Sequence, residues 1–151
     1  MFKTRVTELL GIEVPIVGGT MMHISGPEFV SAISESGALG MMASAMFDSQ
    51  EKFRQAVRQV KSLTEKPFGV NLSLFPALRP IDNDLYVEVI LEEGVPVVET
   101  SGQRPSEDLL ARLKTGGVKT MHKCVSARHA FSAQKVGVDA VTVFGSEGGG
   151  H

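Results

Sequence analysis

A chain of 151 residues with 42% hydrophobic content is long enough to bury one core and corresponds to one domain. Its formal net charge is −2 and its charges are interleaved, so neither nucleic acid nor anionic lipid is an expected partner. No apolar run approaches the roughly 18 residues of a membrane helix, charges interrupt the N-terminal stretch where a signal peptide would be apolar, and the single cysteine, Cys124, favours a reducing cytoplasm.

Short apolar runs recur along the chain and predict six β-strands. The runs are continuous rather than alternating, which is typical of a parallel sheet whose two faces are both covered by helices. In chain order they are 14–18, 39–43, 67–72, 95–99, 118–124 and 139–144.

Segments with helix start and stop signals lie between these runs. Segment 26–36 presents Phe29 on a predicted buried face, and segment 48–63 opens with Asp48 and Glu51 at capping-box spacing. The remaining predicted helices are 82–94, 105–117 and 126–137.

The alternation of strands and helices predicts an α/β fold with a parallel sheet. Two architectures satisfy it, an open doubly wound sheet and a closed (β/α)8 barrel. Six strands fit the first and are two short of the second.

The connections between these elements are of two kinds. The helix-to-strand connections are short turns, whereas the strand-to-helix loops carry most of the polar residues capable of chemistry. In parallel α/β folds these loops converge at the carboxyl ends of the strands, so they predict one concave rim suited to a cofactor. The residues concerned are His23, Asn71, Gln103, Lys123, Glu147 and His151.

Each candidate also has a purely structural interpretation. Gly18 and Gly19 are equally explained by a tight turn, and Lys123 by a solvated cation. A C-terminal His151 belongs either to a loose tail or to a catalytic loop. For the remaining polar candidates we expect no chemistry: His122 pairs with backbone, His129 lies on a helix surface, and Cys124 fills the core.

Several common motif classes are missing from the sequence. It contains no G-x-G-x-x-G after a strand, no P-loop, no H-E-x-x-H, no paired cysteines and no G-x-S-x-G elbow. Classical dinucleotide folds, P-loop nucleotide sites, zinc sites and serine hydrolases are therefore disfavoured.

Four stretches together resemble one family in order and spacing. They are "TRVTELLGIEVPIVGGTM", "GALGMMA", "KPFGVNL" and "GVDAVTVFGSEGGGH", and they run over essentially the whole chain. They resemble the nitronate monooxygenases, once called 2-nitropropane dioxygenases, whose relatives include FMN-dependent enoyl-acyl-carrier-protein reductases. The resemblance implies a (β/α)8 barrel of the TIM type that binds FMN at the carboxyl ends of its strands.

The resemblance also implies roles for particular residues. His151 matches the histidine that serves as the base removing a substrate α-proton, which suits an imidazole because it titrates near neutral pH. No metal is implied. The implied cofactor-binding residues are Gly18, Gly19, Thr20, Met21, Asn71, Lys123, Gly149 and Gly150.

Members of this family are longer than this chain and usually have alanine where Gly148 stands. We therefore expect residues 1–151 to be the N-terminal part of a single FMN-binding TIM-barrel domain, truncated after about six βα units. Without the closing strands such a sheet has two exposed edges, so a free chain is expected to be unstable or prone to aggregation.

Three functions follow from these interpretations. The first is the oxidation of alkyl nitronates with O₂ through FMN, and Lys123 favours this function over the reductase described next. The second is FMN-dependent reduction of an enoyl thioester with NAD(P)H. The third, of another class, is a truncated, non-catalytic α/β ligand-binding domain. A small-molecule substrate and a cytoplasmic location are expected, and a homodimer is compatible with the resemblance.

Overall fold

A computed structural model describes residues 2–75 and 82–148. Within these residues the chain alternates strands and helices, with a short 3₁₀ turn at Ser44–Met46. The strands are β1 Val17–Gly18, β2 Leu39–Ala43, β3 Phe68–Leu74, β4 Val97–Gly102, β5 Lys119–Cys124 and β6 Ala140–Val143. The helices are α1 Arg5–Leu10, α2 Pro27–Glu35, α3 Gln50–Leu63, α4 Asn83–Glu92, α5 Glu107–Thr115 and α6 Ala127–Lys135.

The six strands form one parallel sheet in the order β1-β2-β3-β4-β5-β6. Each strand therefore lies beside its sequence neighbour, and the order never reverses. A doubly wound sheet requires a reversal, so this topology is that of a (β/α)8 barrel over six units and confirms the fold implied by the resemblance.

The two faces of the sheet bury different side chains. The outer face packs against the helices, and Val70 and Val98 belong to one buried cluster with Phe53 and Val57 of α3. Residues one position away along each strand point to the other face, because side chains alternate along a strand. That inner face buries Leu10, Ile12, Leu39, Met41, Val97 and Met121.

Helix α1 was not predicted from the sequence. It begins after Thr4, whose hydroxyl accepts a hydrogen bond from the Thr7 amide in a capping box, and it ends at Gly11 in the left-handed conformation with φ 69°. Leu10 at its end and Ile12 beyond it belong to the inner-face cluster. The N-terminal segment thus covers the inner face of the sheet.

Some local predictions were wrong. Helix α3 is capped by Ser49, whose Oγ accepts from the Lys52 amide, whereas Asp48 forms an ion pair with Lys52 instead of a capping box. Of the three residues expected to share the apolar face of α2, Val30 is fully buried and Ile33 is half-buried, whereas Phe29 is 39% exposed.

Close packing between α2 and β2 depends on a glycine. A Cβ at Gly40 would lie 2.1 Å from the carbonyl oxygen of Val30, so only glycine allows this helix to lie so near the strand. Among the described residues, no helix is both long and apolar enough to cross a membrane.

Candidate functional site

A group of polar side chains occupies the carboxyl-terminal part of the inner face. Asn71 comes from β3, Glu99 and Ser101 from β4, Lys123 from β5 and Thr142 from β6. The strand register pairs Asn71 with Glu99, Ser101 with Lys123, and Lys123 with Thr142. Four consecutive strands therefore each contribute to one cluster, which we call the Glu99 cluster.

Glu99 is the centre of this cluster, although it is only 3% exposed. Its Oε1 accepts a hydrogen bond from Thr142 Oγ1 at 2.8 Å. Its Oε2 accepts from Asn71 Nδ2 at 3.0 Å and lies 3.2 Å from Lys123 Nζ. A buried carboxylate needs this kind of compensation, because removing a charge from water is costly unless it is paired and hydrogen-bonded.

The amide of Asn71 is held at both ends. Its Nδ2 donates to Glu99, and its Oδ1 accepts from Ser101 Oγ at 3.3 Å. These two contacts determine which way the amide points. An amide nitrogen carries two N–H donors, and the Glu99 contact uses one of them.

Lys123 lies at the outer limit of the cluster. Its side chain is 23% exposed, and its Nζ lies 5.9 Å from the centroid of the Phe144 ring. An ammonium has three donors, of which one is directed at Glu99. The other two N–H donors of Lys123, at the carboxyl ends of the strands, can bind an anionic oxygen.

The glycines after β1 have different surroundings. A Cβ at Gly18 would meet Ile33 Cδ1 at 2.5 Å, so packing against α2 accounts for this glycine. A Cβ at Gly19 would meet no atom within 4 Å, so packing in this structure does not account for the second one. Met21 and Met22, which follow Thr20, are 39% and 40% exposed at the same end of the sheet.

The structure brings together only some of the predicted site residues. Asn71 and Lys123 share the Glu99 cluster, and they lie within strands β3 and β5, close to the carboxyl ends of the predicted runs 67–72 and 118–124. His23, Gln103 and Glu147 are exposed in strand-to-helix loops. Gly149, Gly150 and His151 lie outside the described residues.

Sequence reasoning missed Glu99, Ser101 and Thr142. Glu99 ends the apolar run 95–99, and a charged residue closing such a run in a parallel sheet was the available signal. The two hydroxyls gave no signal of their own, because the register with neighbouring strands is what places them near the carboxylate.

The described residues fit a flat, anionic cofactor such as FMN. The glycine backbone at Gly19 leaves open space where any side chain would stand, Asn71 offers an oriented amide, and Lys123 offers a positive charge. Buried Glu99 holds the last two in place.

The fold and the site together define a barrel-type α/β protein with a polar rim at the carboxyl ends of its strands. A sequence model of the family described as nitronate monooxygenase matches residues 3–151. The chain therefore belongs to the nitronate monooxygenase family, whose members are oxidoreductases, and the resemblance seen in the sequence is confirmed.

Individual relatives differ in their named activities. A curated relative from Mycobacterium tuberculosis, (3aS,4S,5R,7aS)-5-hydroxy-7a-methyl-1-oxo-octahydro-1H-indene-4-carboxyl-CoA dehydrogenase, is 40% identical over 149 residues, 99% of this chain and 40% of the relative. A mutant of FabK from Thermotoga maritima has a TM-score of 0.89 and 39% identity, covering 99% of this chain and 48% of FabK. Nitroalkane oxidase from Streptomyces ansochromogenes has a TM-score of 0.88 and 28% identity, covering 98% of this chain and 50% of the oxidase. The chain thus spans half or less of the length of these three proteins.

Proposed function

We propose that residues 1–151 are the N-terminal part of a single FMN-binding TIM-barrel domain and that the complete protein is an FMN-dependent oxidoreductase. The observation that carries this proposal is the Glu99 cluster, in which a buried carboxylate orients an amide and an ammonium at the carboxyl ends of the strands. Membership of the nitronate monooxygenase family supports the same cofactor.

The roles of the chain's residues follow from their chemistry. Bound FMN would accept or donate the electrons of the reaction. The second N–H of Asn71 would donate to an acceptor on the flavin ring, and Lys123 would stabilise negative charge there. The backbone of Gly18, Gly19, Thr20 and Met21 would border the ring, as the open space beside Gly19 allows.

His151 is proposed as the catalytic base, directly after Gly149 and Gly150 in the sequence. A carbon-bound proton next to an electron-withdrawing group is acidic enough for an imidazole to remove near neutral pH. The first candidate substrate is a nitroalkane, from which the base would remove the α-proton to give the alkyl nitronate that is oxidised with O₂, and the family of the chain supports it.

A second candidate substrate is an acyl or enoyl thioester, with NAD(P)H as the partner in the enoyl-reductase reaction. The chain is 40% identical to a carboxyl-CoA dehydrogenase and 39% identical to FabK, against 28% identity to nitroalkane oxidase. A thioester carbonyl also acidifies the carbon beside it, so the same imidazole would remove the α-proton when an acyl thioester is oxidised and, in its protonated form, would deliver that proton when an enoyl thioester is reduced. The cytoplasmic location and the homodimer remain predictions.

Anaerobic stopped-flow reduction of the complete, FMN-loaded protein separates these candidates. Rapid flavin reduction by an alkyl nitronate alone supports nitronate oxidation. Rapid reduction by NADH or NADPH, followed by reoxidation with an enoyl thioester, supports the reductase. A complete, folded protein that binds no FMN when mixed with excess FMN before this experiment would contradict the proposed function and leave the ligand-binding alternative.

Two variants test the assigned residues separately. His151→Ala should retain FMN and lose most of its turnover, together with the limb of the pH profile that reports the base. Gly19→Ala should leave stability unchanged, because a Cβ there meets nothing within 4 Å, but should weaken FMN binding. Unchanged turnover and pH profile in His151→Ala would remove the catalytic assignment, and unchanged FMN affinity in Gly19→Ala would remove the proposed backbone approach.

A further inference from the structure

A second cluster of side chains lies on the outer face of the sheet, opposite the proposed flavin rim. His122 and Cys124 are two positions apart on β5 and are both fully buried. His129 comes from α6 and is half-buried. A ring nitrogen of each histidine and the sulfur of Cys124 all lie within 4.8 Å of one another.

The two imidazoles are in direct contact. Their Nε2 atoms are 3.0 Å apart, and their rings meet edge to face with an interplanar angle of 77°. His122 has the backbone hydrogen bond that the sequence analysis expected, to Thr100, but its ring also contacts His129, which is half-buried rather than on an open helix surface. The expectation that Cys124 is buried is confirmed.

A buried threonine determines the tautomer of His122. Thr100 Oγ1 lies 2.8 Å from His122 Nδ1 and donates its own proton to the carbonyl oxygen of Met121 at 3.3 Å. A hydroxyl has one proton, so when Thr100 donates to Met121 it accepts from Nδ1–H of His122. The Nε2 lone pair of His122 is then unprotonated and directed at His129, which is the form that binds a metal ion.

The environment of His122 also favours this neutral form. Burial, and then the neighbouring His129, lowers the pKa of His122 below its ordinary value. Burial likewise raises the pKa of the Cys124 thiol, so the sulfur becomes a thiolate only with a compensating positive charge nearby.

The distances are close to those of a tetrahedral zinc site. With Zn–N of about 2.0–2.1 Å and Zn–S of about 2.3 Å, two nitrogens stand about 3.3 Å apart and a nitrogen and a sulfur about 3.6 Å apart. The two Nε2 atoms, at 3.0 Å, nearly meet the first value. The sulfur lies within 4.8 Å of a ring nitrogen of each histidine, so an approach of about 1.2 Å or less would meet the second.

We propose that His122, Cys124 and His129 form a binding site for Zn²⁺ or a similar borderline transition metal, with water from the half-exposed side of His129 as the fourth ligand. Two histidines and one cysteine are nitrogen and sulfur ligands that zinc accepts. The Thr100 hydroxyl is the outer-shell partner that orients His122. The site is separate from the Glu99 cluster, because the two project from opposite faces of β5.

Metal binding requires that two protons move. The Nε2 proton that His129 donates towards His122 is replaced by the metal, and this ring then carries its proton on Nδ1 instead. The Cys124 thiol loses its proton to solvent, so one proton is released for each metal ion bound. No electron transfer is involved.

Cobalt(II) titration of the complete, reduced and EDTA-treated protein tests the proposal, because Co²⁺ occupies zinc sites and absorbs visibly. We expect one Co²⁺ per chain, with a thiolate-to-cobalt charge-transfer band and tetrahedral visible bands that disappear when Zn²⁺ is added. A folded protein that shows no charge-transfer band in excess Co²⁺ would overturn the site.

Variants connect the spectrum to the named residues. His129→Gln, on a half-buried helix position, and Cys124→Ser should each weaken Zn²⁺ binding by more than the roughly 10–100-fold that loss of an outer-shell partner causes. Thr100→Val should weaken it within that range, and Thr100→Ser should restore it. The matched control is His23→Asn, since His23 is an exposed histidine in a left-handed conformation that asparagine also tolerates. Equal loss in the control, or an unchanged charge-transfer band in His129→Gln, would contradict the proposal.

Discussion

The contact between Glu99 and Lys123 gives the sharpest test of how the site is built. We consider Lys123→Met, Glu99→Gln and the double variant, each compared with the parent protein by urea unfolding at pH 7. Lys123→Met leaves a carboxylate that is 3% exposed with only the neutral donors of Asn71 and Thr142. Loss of one partner from a buried ion pair costs about 3–5 kcal/mol, and we expect the lower end because those two donors remain.

Glu99→Gln is expected to be milder, at about 1–2 kcal/mol. The amide keeps the shape of the carboxylate and one acceptor oxygen, and the side chain of Lys123 is 23% exposed, so its ammonium can reach water. The double variant leaves no unpaired charge. We therefore expect it to cost about 1–3 kcal/mol less than the sum of the two single variants.

The ion pair between Glu13 and Lys66 is the matched control. Its atoms are 2.8 Å apart, but its side chains are 47% and 45% exposed. We expect Glu13→Gln and Lys66→Met to be coupled by less than about 1 kcal/mol. A coupling for Glu99 and Lys123 no larger than that of the control would refute the conclusion that burial makes this pair interdependent.

Two further substitutions test other contacts by the same urea unfolding. Gly40→Ala should destabilise the protein by about 3 kcal/mol or prevent folding, because the new Cβ would lie 2.1 Å from the Val30 carbonyl oxygen, while Gly19→Ala should change little. The hydrogen bond from Arg58 holds the pKa of Glu93 below its ordinary value. The ionised Glu93 carboxylate therefore stabilises the folded protein above the unfolded-state pKa of about 4.3, and this contribution is lost as the pH falls through the lowered pKa of the folded state. Glu93→Gln should therefore cost about 1 kcal/mol at pH 7 and progressively less below about pH 4, and a cost independent of pH would contradict this account.

The apolar runs predicted the strands of the sheet correctly but did not predict where β4 ends at its carboxyl terminus. The run 39–43 coincides with β2, Leu39–Ala43, because every residue of that strand is buried. The run 95–99 ends early, whereas β4 continues to Gly102. The residues beyond Glu99 are polar because they bond across strands: Thr100 contacts His122 and Ser101 contacts Asn71.

The sequence could not supply information that depends on register or on distant packing. Helix α1 is short, and Leu10 at its C-terminal end is buried in one cluster with Leu39 and Met41, which are distant in the sequence. Asn71 and Lys123 were identified from their place near the carboxyl ends of predicted strands and from the resemblance, but their common partner Glu99 could be found only when the strands were aligned. Likewise, the spacing of His122 and Cys124 places both on one face of a strand, yet nothing local brings His129 to them.

The buried carboxylate also constrains how relatives of this protein can diverge. An exchange of Lys123 alone would leave a negative charge enclosed in the sheet, and an exchange of Glu99 alone would remove the acceptor on which Lys123, Asn71 and Thr142 all depend. Viable evolutionary paths should change positions 99 and 123 together or conserve both. Covariation of these two positions, with free drift at exposed rim positions such as Gln103, is the pattern we expect in natural descendants.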